Sequence, residues 1–177
     1  MNSTFKFKLI QALNKKNGNK GFTLIELLVV VIIIGVLAAI ALPNLLGQVA
    51  KGRQAEARNN LGTVSRAQQA YRLENGVFGT FSTNTATNQL PVAIQPQYYV
   101  YLDSTGANAT GAQTNANANP TYNNDIRDYS SSVAQTTDGQ FSAVICEATN
   151  PTTTGVSATA NPTQPDGGTC TNGKVVK

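Results

Sequence analysis

An unbroken run of 16 apolar residues, from Leu27 to Leu42, limits what this chain can become more than any other part of its sequence. As an α-helix, residues 22–42 would extend about 31 Å at 1.5 Å per residue. The hydrocarbon layer of a bilayer is roughly 30 Å thick. The segment therefore predicts a helix that spans a membrane.

The basic residues of the chain are concentrated ahead of this run. Among 177 residues, 13 Lys and Arg stand against 9 Asp and Glu, which gives a net charge of +4. Residues 1–21 contain five lysines and no acidic residue, so the remaining residues carry a slight negative charge. A lysine-rich flank orients a spanning helix with that flank in the cytoplasm. We therefore interpret the positive charge as a topology signal.

The composition excludes several kinds of active site. Histidine is absent, and the chain has two cysteines and one methionine. These counts exclude histidine-based triads, histidine metal sites and thiol-rich metal centres. The C-terminal part of the chain, residues 76–177, offers only scattered Asp residues, one Glu and hydroxyl side chains as reactive groups. We predict that the protein is not an enzyme, with no catalytic residues, no metal and no cofactor.

Three interpretations of the N-terminus differ in where the chain is cut. In a secretory signal, cleavage would follow the small residues around Ala39 and Ala41 and remove the apolar run. In a plain anchor nothing is removed, and Glu26 either reaches the cytoplasmic face or stays unexplained, because a carboxylate within a spanning helix is costly. In the third interpretation, a cut between Gly21 and Phe22 leaves the helix on the mature protein.

The residues around that junction favour the third interpretation. Lys20 to Glu26 read KGFTLIE, and LLVVVIIIGVLAAIALP follows, which resembles the class III signal of type IV prepilins. The match runs to about Phe81, and the opening of the chain resembles the major pilins of cyanobacteria. The resemblance implies that a membrane prepilin peptidase cuts after Gly21 and N-methylates Phe22. The leader of 21 residues is longer than the commonest leaders of the family.

The third interpretation, cleavage between Gly21 and Phe22, gives Glu26 a role. Cleavage gives Phe22 a cationic α-amino group, and a cation buried in an apolar bundle needs a partner. The resemblance implies that Glu26 neutralises this group on the same or a neighbouring subunit during filament assembly. A paired buried charge also fixes axial register, as buried polar groups do in helix bundles.

The helix is predicted to continue beyond the apolar run. Pro43 should kink the helix or mark its end, because proline removes a backbone donor and clashes with the preceding turn. Apolar residues resume at three- and four-residue spacing from Leu46 to Tyr71, which favours one helix over residues 22–74. Gly76 is suited to a left-handed cap just beyond the end of this helix.

Two further features belong to this helix. The resemblance implies that helical structure between Gly35 and Pro43 is lost in assembled filaments, and both residues are weak helix formers. Basic residues on the polar face of the continuation are interleaved with acidic ones and have few aromatic neighbours, so we interpret them as a solvated face and not as a nucleic-acid patch. These residues are Lys51, Arg53, Arg58, Arg66 and Arg72.

The residues after the helix predict a connection and one strand. Val77, Phe78 and Phe81 provide apolar anchors for the connection. Residues 97–102, QYYVYL, are typical of a strand. Residues 103–125 lack Leu, Ile, Val, Phe and Met, and we predict an exposed loop there because such a segment has little to bury.

A hairpin is predicted across residues 136–139. In the strand that follows it, Phe141, Ala143 and Ile145 alternate and therefore share one face. Three or four antiparallel strands packed on the C-terminal half of the helix would complete the head. The fold class is α+β, which the resemblance specifies as the type IV pilin fold.

The two cysteines lie in the C-terminal part of the chain. In an exported protein, Cys146 and Cys170 are expected to form one disulfide, with two free thiols as the alternative. The resemblance places a disulfide-bounded region at this end of pilins. We therefore predict a disulfide-closed C-terminal loop.

These expectations divide the chain into four parts. They are a cleaved leader at 1–21, a transmembrane and filament-core helix at 22–42, its amphipathic continuation at 43–75, and a globular head at 76–177. The N-terminus would be cytoplasmic and the head periplasmic in a single-pass inner-membrane precursor. After assembly the subunit would belong to an extracellular filament.

The resemblance implies a structural subunit of a type IV pilus, a homopolymer that serves twitching motility, adhesion and DNA uptake. The partners it implies are the prepilin peptidase, an inner-membrane assembly platform with a cytoplasmic ATPase motor, and a secretin. Nucleic acid would be met through the filament. The alternatives are a type II secretion pseudopilin, a minor pilin and, from another class, a membrane-tethered enzyme.

Overall fold

The computed structural model describes residues 21–102, 107–161, 163–164 and 167–176. The predicted leader therefore lies outside the described residues, except for Gly21. The chain is divided into two compact units, and the boundary between them lies between Leu45 and Leu46. The fold class matches the prediction, since a long helix precedes a head built on an antiparallel sheet.

One helix, α1, extends from Leu24 to Asn75. Pro43 lies inside it, which confirms the prediction of one helix that continues past the proline and rules out the alternative that the helix ends there. The C-terminal end was predicted correctly, because Gly76 has a positive φ of 74° and donates its N–H to the carbonyl of Arg72 at 3.0 Å. This is the left-handed cap that glycine adopts without steric cost.

The described residues of the head form seven strands. They are β1 Tyr99–Leu102, β2 Gly111–Ala118, β3 Tyr129–Gln135, β4 Phe141–Ala148, β5 Ser157–Ala160, β6 Gly168–Thr171 and β7 Gly173–Val175. Five of them form an antiparallel sheet in the order β1-β2-β3-β4-β7, and β5 pairs with β6 in a separate hairpin. The predicted count of three or four strands was therefore too low.

Strand β2 corrects the prediction of a loop over 103–125. Ala112, Thr114 and Ala116 point to one side and are buried, because β2 lies between β1 and β3 in the sheet. Alanine suffices at these positions since the large side chains come from the neighbouring strands, including Tyr129, which is opposite Ala116. A central strand can thus be built from small residues when its partners supply the bulk.

The main core of the head lies between α1 and the sheet. Ala57, Leu61 and Val64 of the helix meet the buried tyrosines of β1 and β3. The rings of Tyr99 and Tyr129 meet edge to face, with 6.0 Å between their centroids. Phe78 and Phe81 are buried as predicted, whereas Val77 remains 44% exposed and is no anchor.

The sheet is covered on its second face as well. The predicted face of β4 holds Ile145, which packs against the helix-side core, and the alternate face holds Val144 and Cys146 in a separate cluster with Val156 and Ala158. Side chains alternate across a strand, so this cluster lies on the other side of the sheet. Cys146 is bonded there to Cys170, which confirms the predicted disulfide and holds the β5–β6 hairpin against β4.

Candidate functional site

The junction predicted for cleavage lies just outside helix α1. Gly21, Phe22 and Thr23 are non-helical and exposed, and a Cβ placed on Gly21 would meet no other atom within 4 Å. Phe22 is 79% exposed. A peptidase needs extended, accessible backbone, so this geometry suits the predicted cut, which stays a prediction.

Thr23 and Glu26 form a capping box at the start of α1. The backbone N–H and the hydroxyl of Thr23 donate to Oε2 of Glu26 at 2.9 and 2.8 Å, and the Glu26 N–H donates to Oγ1 of Thr23 at 3.2 Å. Two backbone donors of the first turn are thereby satisfied. The sequence pattern T-x-x-E could have indicated this role, which the charge-neutralisation hypothesis for Glu26 had overlooked.

Glu26 and Phe22 also lie on the same face of the chain. Both line a shallow groove of about 360 Å³ with Ile25, Val29 and Val30. Cleavage would place a new α-amino group on a residue of this groove. The Glu26 carboxylate, which is predicted to neutralise that amino group, therefore lies on the same groove as Phe22. In the unprocessed chain it is hydrogen-bonded to Thr23.

The first unit presents apolar surface all around its helix. Every large apolar side chain among residues 22–45 is at least 44% exposed. Among the described residues, α1 is the helix that is long and apolar enough to cross a membrane. Gly35 and Pro43 lie within it in helical conformation, and their loss of helix in a filament remains a prediction.

Arg53 corrects the prediction of a solvated basic face. Its guanidinium lies 4.5 Å from the ring centroid of Tyr122 and 5.5 Å from that of Tyr98. It also pairs with Asp125 at 3.7 Å. This side chain holds the helix to the head by cation–π contacts, whereas Lys51 and Arg66 are exposed as predicted.

Arg58 takes part in a cluster around a buried carboxylate, which also departs from the prediction. The Glu147 side chain is only 8% exposed and lies 2.8 Å from Arg127, 3.1 Å from Lys174 and 3.7 Å from Arg58. The hydroxyl of Tyr129 donates to Glu147 at 3.1 Å. Burial acts to raise the pKa of Glu147, but the hydrogen bonds from Lys174 and Tyr129 and the nearby positive charges hold that pKa below its ordinary value.

Replacing Arg53 is expected to loosen the head from its helix. Arg53→Ala removes two cation–π contacts and one ion pair, for which we expect a loss of about 1.5 kcal/mol in the free energy of unfolding. Chemical denaturation of the full chain in detergent measures the loss. The control Arg66→Ala, on the exposed face, should change the free energy by less than about 0.5 kcal/mol, and equal effects of the two variants would contradict the packing role of Arg53.

Replacing Glu147 is expected to cost about 3 kcal/mol of unfolding free energy, because Glu147→Gln leaves several cations without their shared counter-ion. The effect depends on pH. A carboxyl group whose pKa is lowered in the folded protein stabilises the fold fully at pH values above its ordinary pKa of 4.5. That contribution is lost as the pH falls through the folded pKa. The difference between wild type and Glu147→Gln should therefore shrink on acidification below about pH 4.5.

A matched measurement separates this effect from general acid denaturation. Burial raises the pKa of Asp128, so its titration acts in the opposite direction and is present in both proteins. Unfolding curves of the wild type and of Glu147→Gln at several pH values isolate the Glu147 contribution. A difference that stays constant down to strongly acidic pH would show that the carboxylate charge is not what stabilises the cluster.

Comparison with known proteins agrees with these features. The family model described as "Type IV pilin-like G and H" matches residues 54–171, and the model of the prokaryotic N-terminal methylation motif matches residues 16–42. The first match covers more than half of the chain. No match to a solved structure reaches significance.

The curated relatives match over part of their sequences. The type IV major pilin protein PilA of Myxococcus xanthus is 47% identical over 64 residues, 36% of this chain and 29% of the relative. The type II secretion system core protein G of Vibrio cholerae is 40% identical over 68 residues, 38% and 47% of the two chains. The fimbrial protein EcpC of Eikenella corrodens is 48% identical over 63 residues, 36% and 41%.

The chain thus spans less than half the length of these relatives. They are pilins and pseudopilins, which are structural proteins and not enzymes. The particular resemblance to cyanobacterial pilins stays a prediction. With the methylation motif, the uncovered apolar helix and the disulfide-bonded head, this chain belongs to the family of type IV pilin-like proteins G and H as a prepilin.

Proposed function

We propose that the chain is the structural subunit of a type IV pilus. The observation that carries the proposal is the apolar helix of residues 22–45, whose large apolar side chains are all at least 44% exposed in the described part of the chain. Such a surface needs lipid or copies of the same helix around it. A pilus subunit would have lipid around this helix while it is held in the membrane, and copies of the same helix around it once it is in the filament core.

The physics of this transfer supports a reversible polymer. A helix that leaves lipid for a bundle of equally apolar helices changes its hydrophobic environment little. Small residues along the run, including Gly35, Ala38 and Ala39, allow helices to approach closely. Extension and retraction would then depend on the assembly machinery more than on the strength of the helix contacts.

The proposal also includes the remaining predictions that were made from the sequence. A prepilin peptidase removes residues 1–21 and methylates Phe22, residues 22–42 and 43–75 form the core helix and its continuation, and residues 76–177 form the head. An inner-membrane platform with an ATPase motor drives assembly, and a secretin lets the filament out. The filament serves motility, adhesion and DNA uptake.

A pseudopilin of type II secretion is the second candidate. It is favoured by relatives named type II secretion system core protein G, which are 32 to 40% identical to this chain over 61 to 87 residues. We prefer the pilus because a disulfide closes the C-terminal region and polar residues dominate the loops, as suits a surface exposed outside the cell. A minor pilin would share these features and differ in abundance.

Electron microscopy of filaments sheared from cells, combined with mass spectrometry of their subunits, tests the proposal. A pilus subunit should be abundant in long surface filaments and should begin with N-methylated Phe22. Recovery only in the cell envelope would favour the pseudopilin, and trace amounts in the filaments would favour a minor pilin. A mature N-terminus at Leu42 would overturn all three.

A further inference from the structure

Three asparagines of the chain are followed directly by glycine, the sequence in which asparagine loses its side-chain amide most readily. They are Asn17, Asn75 and Asn172. Glycine has no side chain to keep its backbone nitrogen away from the asparagine amide. Asn17 lies outside the described residues, whereas Asn75 and Asn172 are both exposed. Exposure therefore does not distinguish these two sites, but their hydrogen bonds do.

The site at Asn75 is held at both groups that would react. The nitrogen of Gly76, which would attack, donates to the carbonyl of Arg72 at 3.0 Å. The side-chain nitrogen of Asn75, which would leave, donates to the carbonyl of Tyr71 at 3.0 Å. Both acceptors belong to the C-terminal end of α1. Attack at this site therefore requires the end of the helix to open first.

At the second site the attacking nitrogen belongs to Gly173 of the edge strand β7. Just beyond that strand, Val176 donates its N–H to Ile145 at 2.8 Å. Hydrogen-bonded and non-hydrogen-bonded positions alternate along an antiparallel ladder, so Gly173, opposite Ala148, is at a non-hydrogen-bonded position. Ala148 donates its N–H the other way, to Asp128 at 2.8 Å. The Gly173 N–H therefore faces the outer edge of the sheet and has no partner among the described residues.

The side chain of Asn172 is held weakly. This residue occupies the turn between β6 and β7 with a φ of 57°, a left-handed conformation that asparagine adopts more readily than most residues. Its Nδ2 donates to the carbonyl of Gly155 at 3.3 Å, beyond the usual range for such a bond. β7 is joined to β4 through three residue pairs, so the rotation that brings the reacting groups together disturbs few contacts.

We propose that Asn172 deamidates spontaneously in the folded chain and that the product loosens β7. The nitrogen of Gly173 attacks Cγ of Asn172, an N–Cγ bond forms, and the side-chain amide leaves as ammonia with the proton that the Gly173 nitrogen gives up. Water then opens the resulting succinimide at either carbonyl, which yields aspartate or isoaspartate. The reaction consumes a water molecule and releases ammonia, and it needs no enzyme and no oxidant.

Either product weakens the attachment of β7. The carboxylate replaces the N–H donor that faces the Gly155 carbonyl, so two acceptors then meet. Isoaspartate also adds a backbone carbon before Gly173, where a Cβ would already clash with the carbonyl of Glu147. Lys174, the next residue, would be displaced from Glu147, which it contacts at 3.1 Å. The inference applies to a pilus subunit and to a pseudopilus subunit alike.

Peptide mapping by mass spectrometry provides the test, on the full chain in detergent sampled during incubation at mildly alkaline pH. Peptides that contain Asn172 should acquire the mass change of deamidation about tenfold faster than those that contain Asn75, since one more hydrogen bond must open at Asn75. In urea with reductant the two sites should react at similar rates, because both asparagines are followed by glycine. Electron-transfer fragmentation distinguishes isoaspartate from aspartate.

Asn172→Gly is the matched control for the loosening of β7. Glycine adopts the left-handed φ without steric cost and has no amide to lose. Incubated wild type should be cut by proteases within residues 172–176 sooner than fresh wild type. The variant should keep its resistance through the same incubation.

Several outcomes would overturn the inference. Equal rates at Asn75 and Asn172 in the folded chain, or a preference for Asn172 that persists in urea, would show that the hydrogen bonds do not select the site. An unmodified Asn172 in the folded chain would exclude the modification. Deamidated chain with unchanged protease resistance would show that the product does not loosen β7. Each of these results leaves the proposed function standing, because microscopy of the filaments tests it separately.

Discussion

Glu26→Ala is expected to abolish filament assembly while the leader is still removed. The carboxylate is not needed to expose the Gly21–Phe22 bond, because Gly21 to Thr23 are already non-helical and exposed. Assembly is different, since it would bury the α-amino group of processed Phe22 among apolar helices. A buried cation without a partner is strongly unfavourable, so we expect filament yield to fall by more than tenfold.

Glu26→Gln separates the two roles of this side chain. The glutamine can still accept hydrogen bonds from Thr23 and complete the capping box, which tolerates either residue. It cannot neutralise an ammonium group. If charge pairing is what assembly requires, Glu26→Gln fails as completely as Glu26→Ala. If the cap is what matters, Glu26→Gln assembles and Glu26→Ala does not.

Immunoblots of sheared filaments and of whole cells measure the two steps. The ratio of processed to unprocessed chain in whole cells reports cleavage, and the sheared fraction reports assembly. Thr23→Val is the matched control, because it weakens the cap and leaves the carboxylate in place. Wild-type amounts of filament from Glu26→Ala would refute the neutralisation hypothesis, and an accumulation of uncut chain would show that Glu26 acts in processing.

The parts of the fold that the sequence predicted well are those governed by local patterns. The apolar run and the three- and four-residue spacing up to Tyr71 specify α1, and Gly76 marks its end because a left-handed cap needs no distant partner. The disulfide followed from an exported chain with two cysteines. None of these inferences required knowledge of which strands are neighbours.

The features that could not be predicted from the sequence are those whose structure depends on residues far away in the chain. β2 contains three alanines and two asparagines among eight residues and becomes a strand because β1 and β3 supply its hydrogen bonds and large side chains. Arg53 looks like a solvated residue until the fold brings Tyr98 and Tyr122, distant in the chain, to its guanidinium. The capping box of Thr23 and Glu26 was missed for a different reason. Its pattern is local, so the sequence alone could have predicted it.

Removal of the disulfide is expected to cost about 3.5 kcal/mol of unfolding free energy. Cys146 and Cys170 are separated by 24 positions, and closing a loop of that length restricts the unfolded chain by about this amount in the chain-entropy model. The variant should be Cys146→Ala with Cys170→Ala, because Cys146 is fully buried. A serine there would add the cost of burying a hydroxyl group.

The position of the bond indicates what would loosen first. Among the described residues, β6 pairs only with β5, and β7 is joined to β4 through three residue pairs. Beyond the disulfide, Lys174 of β7 contacts Glu147 across the strands. Without the disulfide, the segment from β5 to β7 should therefore become sensitive to proteases before α1 and the other four strands of the sheet unfold.

Denaturation with and without reductant distinguishes this effect from a packing defect. Wild type in dithiothreitol should approach the double alanine variant, whereas reductant should not change the variant at all. Limited proteolysis followed by mass spectrometry should locate the first cuts between residues 149 and 170. A variant with an unchanged denaturation midpoint would mean that the β4–β7 pairing and the Glu147 cluster hold this end of the head without the covalent bond.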